Sequence, residues 1–156
     1  MPKVTLPNFP VAGGCQCGSV RYALKGPPVT FYICHCTECQ KQSASAFGQS
    51  LRVRNEDLAV AGNLTRFARK SPNGSVLSCE FCRDCGTRLF HRRETYRNEL
   101  NIKAGTLDDS SWLFPAGHIW TGSKQAWISV APDDLAYLGQ PPDFSALEAK
   151  WHAMTG

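Results

Sequence analysis

Long apolar runs are missing from this chain. The longest span only a few residues, far short of the roughly 20 that a membrane-crossing helix needs. The opening residues, Met1-Pro2-Lys3-Val4, hold no basic stretch running into an apolar one. The expectation is therefore no secretory leader and a cytoplasmic protein. No period repeats along the sequence, which excludes an array of small zinc fingers. With 13 glycines and 10 prolines the chain favours turns and short strands, yet it falls short of low complexity. Its 156 residues suit one compact domain with a core of its own. Such a domain has no need of disulfides. What the sequence does have is cysteine, at eight positions. In a chain read as unsecreted, cysteines in this number are metal ligands rather than disulfides.

The formal net charge of +4 counts every thiol as neutral. Metal-bound cysteines are thiolates. Two divalent ions on seven thiolates would lower the net charge to about +1. A nucleic-acid reading built on basicity alone is weakened accordingly.

The cysteines fall into three clusters: Cys15 and Cys17; Cys34, Cys36 and Cys39; Cys79, Cys82 and Cys85. Between them the pattern has period two. Val20, Tyr22 and Leu24 alternate with Ser19, Arg21 and Ala23, and Phe31 and Ile33 lead into Cys34. Residues 47–53, 64–68, 76–81 and 100–104 read as further strands. Turns are expected at 26–28, 62–63 and 71–74, and a single helical turn at 55–58. Asp143 caps a segment in which Phe144, Leu147, Trp151 and Met154 recur at helical spacing. That helix packs on its own domain or on a second subunit. The division is an N-terminal arm, 1–10, a zinc-binding domain, 11–131, and a C-terminal extension, 132–156.

Cys15-Gln16-Cys17-Gly18 and Cys82-Arg83-Asp84-Cys85-Gly86 are each a two-cysteine chelate followed by glycine. Glycine there tolerates the positive φ that a turn around a metal often needs. Together the two chelates make one closed, four-thiolate structural zinc site, stapling the first strand to the middle of the chain. Cys34-His35-Cys36-Thr37-Glu38-Cys39 offers only three thiolates. Three protein ligands and an open fourth position describe a catalytic zinc. His35 and Glu38, inside that run, are candidate proton carriers or donors to the ligands. Cys79 shares a strand face with Leu77 and Phe81 and reads as a core thiol. Its alternative is to close the three-cysteine site, which would make that site structural too.

These motifs resemble those of the glutathione-dependent formaldehyde-activating enzyme family, which also includes centromere protein V. The resemblance runs from Gly13 to about Trp127. It is carried by Gly13-Gly14-Cys15-Gln16-Cys17-Gly18, by the central Cys34–Cys39 run and by Phe81-Cys82-Arg83-Asp84-Cys85-Gly86-Thr87, with Gly105-Thr106-Leu107-Asp108-Asp109 and His118-Ile119-Trp120 as later landmarks. It implies a mainly-β fold, the β-tent of layered antiparallel sheets, to which the residue pattern adds short helical turns and a C-terminal helix. It assigns Cys15, Cys17, Cys82 and Cys85 to a structural zinc and Cys34, Cys36 and Cys39 to a catalytic one, two zinc ions per chain. The implied reaction is reversible addition of glutathione to formaldehyde, a carbon–sulfur lyase in the breakdown direction. Ala44 stands where the family often has glycine, and the expectation is a narrower substrate loop.

On this reading an open zinc holds a substrate sulfur as thiolate. His35 and His118 are the candidates for proton transfer. Arg66, Arg69, Lys70, Arg92, Arg93 and Arg97 are either an attractor for an anionic tripeptide or solvated surface. Membrane contact is not expected, and nucleic acid is disfavoured. The other class of function is a non-catalytic zinc module contacting nucleic acid or protein.

Overall fold

A computed structural model of the chain describes residues 1–71 and 74–156. Among these residues there are eleven strands: β1 Val11–Gly14, β2 Arg21–Leu24, β3 Thr30–Cys34, β4 Gly48–Arg54, β5 Leu58–Ala61, β6 Leu64–Lys70, β7 Val76–Cys82, β8 Arg88–Arg93, β9 Glu99–Ile102, β10 Gly117–Ile119 and β11 Leu135–Ala136. Two helices join them, α1 Thr37–Ser43 and α2 Ser145–Thr155. The fold is mainly β, as the alternating pattern leads one to expect.

The strands form two sheets. A small one has the order β1-β2-β5, and a large one the order β11-β10-β3-β4-β9-β8-β7-β6. Pairing is antiparallel except at one edge, where β10 runs parallel to both β3 and β11. That edge departs from purely antiparallel layers. Parallel neighbours need crossovers of a dozen or more residues, and the long segments before and after β10 supply them.

Val20, Leu24, Leu51, Val53, Leu89, Phe90 and Ile102 are fully buried between the sheets and their coverings. Tyr22 meets Phe90 edge-on at 5.3 Å and ties the small sheet to the large one.

The strands expected at 47–53, 64–68, 76–81 and 100–104 coincide closely with β4, β6, β7 and β9. The last ends early: Lys103 leaves the sheet and a single 3-10 turn follows at Ala104–Thr106. The turn expected at 71–74 lies partly outside the described residues. At its ends the Ser71 amide donates to the Ser75 carbonyl at 2.8 Å.

The C-terminal segment is a helix, and Asp143 supports its start. Its carboxylate accepts from the Ser145 amide at 2.9 Å. Leu147, Trp151 and Met154 are buried, worth roughly 1.5–3 kcal/mol apiece for side chains of this size. They cover β3: the Thr30 hydroxyl donates to the Leu147 carbonyl at 3.0 Å, and Trp151 meets Phe31 edge-on. The helix therefore packs on its own domain. The N-terminal arm is drawn in as well, since the amide of buried Val4 donates to the Met154 carbonyl at 2.8 Å.

Candidate metal centres and the cavity beside the second

Cys15 and Cys17 lie in the β1–β2 connection. Cys82 ends β7, and Cys85 lies in the turn before β8. Their four sulfurs fall within 4.8 Å of one another. The Val20 amide donates to the Cys15 sulfur at 3.2 Å and the Asp84 amide to the Cys82 sulfur at 3.3 Å. Gly18 and Gly86 both have positive φ, 80° and 79°, as the glycine after each chelate foretells. Hydroxyls surround the sulfurs. Ser19 lies 3.2 Å from Cys17 and from Cys82, and Thr87 lies 3.2 Å from Cys85. Thr87 pulls the Cys85 thiol down to about 5. Geometry and donor set fit a closed, tetrahedral metal site. Cys15 and Cys17 come from the small sheet and Cys82 and Cys85 from the large one, so an ion there would join the sheets.

The second cluster is built differently. Cys34 ends β3, Cys36 caps the start of α1, and Cys39 lies in its first turn. The Cys36 sulfur accepts from the Cys39 amide at 3.3 Å. The three sulfurs again fall within 4.8 Å of one another. Hydrogen bonds from Cys34 and Cys39 pull the Cys36 thiol down, and that arrangement pushes Cys34 up. Three sulfurs so close cannot all be thiolates without a cation among them. They fit a metal with three protein ligands. Cys79 belongs to neither cluster. It is fully buried on β7 between Phe67 and His91 of the flanking strands. Strand alternation turns it to the face opposite Cys82, three residues on.

A cavity of about 620 Å³ opens beside the second cluster, with Cys34, Cys36, Cys39, Glu38, Arg69 and Arg93 among its lining residues. Of the basic side chains flagged in the sequence, Arg69 and Arg93 are the two that line it. Arg92 instead pairs with Glu80 at 2.6 Å, while Arg66, Lys70 and Arg97 are exposed. His91, Tyr32 and Asn101 also line the cavity, and sequence reasoning missed all three. The always-cationic Arg88 donates to His91 Nε2 at 3.1 Å, so the imidazole proton sits on Nδ1. Burial pushes the His91 pKa well down and keeps it neutral. Tyr32 Oη accepts from Arg52 at 3.3 Å and from Asn101 at 3.2 Å, which leaves its own proton free to donate.

His35 and His118 are brought together, but not to the cavity. His35 Nε2 lies 2.8 Å from His118 Nδ1, with the rings stacked. His118 Nε2 lies 3.2 Å from the Asp134 carboxylate. Neither ring is among the lining residues. Burial, with His118 and Lys124 nearby, pushes the His35 pKa down to about 4. Ala44 is not in the cavity wall either. It ends α1 in the left-handed region, at φ 50° and ψ 38°. A glycine at this place answers a backbone demand, and the expectation of a narrowed substrate loop does not hold.

Fold and sites define a mainly-β protein with two cysteine centres, each able to hold a metal ion. The model for the family described as glutathione-dependent formaldehyde-activating enzyme matches residues 10–123. The chain belongs to that family. A protein of Aspergillus flavus and one of Aspergillus oryzae each carry the provisional name glutathione-dependent formaldehyde-activating enzyme. Each is 33% identical over 138 residues, covering 82% of this chain and 71% of the relative. Among solved structures, the crystal structure of a Rhodobacter sphaeroides protein matches with a TM-score of 0.50. It is 24% identical and covers 62% of this chain and 87% of its own. That likeness bears on the fold alone. No helix of the described residues is long and apolar enough to cross a membrane.

Proposed function

We propose that the chain is a zinc-dependent carbon–sulfur lyase acting on an adduct of glutathione with formaldehyde, or on a closely related thiol adduct, in the cytoplasm. The observation that carries this reading is the cavity opening on three cysteine sulfurs rather than four. A site of three sulfurs facing a cavity leaves a fourth position for a substrate sulfur, which favours the enzyme reading over a closed, purely structural module. Zinc at Cys15, Cys17, Cys82 and Cys85 is structural. Zinc at Cys34, Cys36 and Cys39 would supply an open coordination position that keeps a substrate sulfur as thiolate at neutral pH.

The remaining work falls to side chains. Arg69 and Arg93, on the cavity wall, attract the carboxylates of an anionic tripeptide. Breaking the adduct moves the hydroxyl proton away as the carbon–sulfur bond opens, and its electron pair stays on sulfur. Making the adduct returns a proton to the nascent alkoxide. The proton carrier must reach the cavity. Glu38, between two ligand cysteines and on the wall, has the position and the chemistry. His91 and Tyr32 are neutral donors for the oxygen. We assign the His35–His118–Asp134 chain to holding the ligand run in place from behind, in place of the proton-transfer role first considered for both histidines.

Exchange spectroscopy on glutathione and formaldehyde at equilibrium tests the proposal. The zinc-loaded protein should speed interconversion of free and hydroxymethylated glutathione, and Cys36→Ser should abolish the acceleration while staying folded. An exchange rate equal to that of the two reagents alone would exclude the activity.

A further inference from the structure

Lys103 lies directly after β9, and its backbone is fixed. Its amide donates to the Leu89 carbonyl at 2.8 Å, and its carbonyl accepts from the Thr106 hydroxyl at 2.7 Å. The side chain is buried, 8% exposed, and its ammonium has no hydrogen-bond partner among the described residues. A buried ammonium without a partner is among the costliest arrangements a chain can adopt. A second buried donor, Gln42 Nε2, is unpartnered too. The two converge. A Cβ placed on Gly48 would meet Lys103 Nζ at 3.1 Å, Gln42 Nε2 at 3.2 Å and the Cys39 Cβ at 3.2 Å. Gly48 is also the ladder partner of Cys34. Two orphaned donors thus gather beside two of the three cysteines, around a residue that has no side chain to keep them apart.

Charge explains the convergence. Three thiolates and one divalent cation leave a surplus of one negative charge, and a fourth thiolate from substrate adds another. We infer that Lys103 is the built-in counter-cation of the three-cysteine centre, a positioning residue that favours retention of its metal and admission of an anionic thiol. This inference rests on the zinc reading proposed above. Gln42 is the rival partner, since its amide turned the other way would offer an oxygen to the ammonium. A lysine serving only that bond would leave metal binding unmoved.

The test follows cobalt(II) and zinc(II) in wild type, Lys103→Met and Lys103→Arg. Wild type should bind two metal ions per chain. In Lys103→Met the three-cysteine metal should be held at least about tenfold more weakly against a chelator, the low end of what close buried charge pairs contribute. The four-cysteine metal should be unchanged. Lys103→Arg, which keeps the charge, should recover most of the loss. In the cobalt protein, glutathione should perturb the visible spectrum of wild type at lower concentration than that of Lys103→Met.

A double-mutant cycle adds a sign. With the second metal removed by Cys36→Ser, the ammonium has less to neutralise, so Lys103→Met should stabilise the protein there while destabilising the loaded wild type. Lys103→Gln serves the same comparisons should the methionine variant not fold. Equal metal retention in wild type and Lys103→Met, or a stability change of the same sign in both backgrounds, overturns the counter-cation role. A wild type that binds only one metal overturns the two-site reading itself, and with it this inference.

Discussion

The two cysteine centres use the same ligand atom and differ in nearly everything around it. The four-cysteine centre reaches the surface through Cys17, with Cys15 and Cys82 buried beneath it and the hydroxyls of Ser19 and Thr87 against its sulfurs. Solvent and hydroxyl donors disperse its charge. The three-cysteine centre is sunk beside a cavity, with Cys34 and Cys39 buried and an unpartnered lysine at its back. One joins two sheets. The other draws all its ligands from a single stretch of chain, 34–39, already held by β3, β4 and β10. On the proposed function, ligand count and neighbours, rather than the cysteines themselves, would divide a staple from a reaction site.

The largest effect should come from breaking the staple. Structural zinc contributes about 10–16 kcal/mol in small domains, against a total stability of about 5–15 kcal/mol. Cys85→Ser should therefore abolish cooperative unfolding, followed by circular dichroism during heating. A wild-type melt would show that the sheets hold together unaided. Cys36→Ser should be far milder. Expected are one metal fewer by elemental analysis, a cooperative melt, and a loss of about 0.5–3 kcal/mol.

Cys79→Ala sharpens the contrast from outside both centres. Deleting one buried sulfur should cost about 1–2 kcal/mol in a denaturant titration, with two metals retained. Loss of a metal would place Cys79 among the ligands. The smallest effect belongs to Ala44. A left-handed residue with a side chain costs about 1–2 kcal/mol, and the extra freedom of an unfolded glycine takes back about 0.4–1 kcal/mol. Ala44→Gly should thus raise stability by about 0–1.6 kcal/mol and leave thiol binding as it was.

The two cysteine clusters were the most legible part of this sequence, because a chelate is a local spacing and spacing survives in one dimension. The central strands were legible for the same reason. β8 escaped notice because Arg88, Arg92 and Arg93 put charge on half of its six positions, and its burial is decided by neighbouring strands. β10 and β11 are too short to show a period. The cavity wall was legible only in part, through the three cysteines, Glu38, Arg69 and Arg93. Tyr32, His91 and Asn101 come from three different strands, and only the order β3-β4-β9-β8 gathers them. His35 and His118 were singled out separately, yet they are each other's partners across 83 residues. No sequence pattern signals such a bond.

Everything proposed for the two centres turns on one being closed and the other open. X-ray absorption at the zinc edge of the fully loaded protein measures this directly, as the mean number of sulfurs per zinc. The mean should be about 3.5 in the resting protein, the average of four and three, rising toward 4 when glutathione is added. A mean of 4 before any thiol is present, or one that glutathione leaves unchanged, would contradict it.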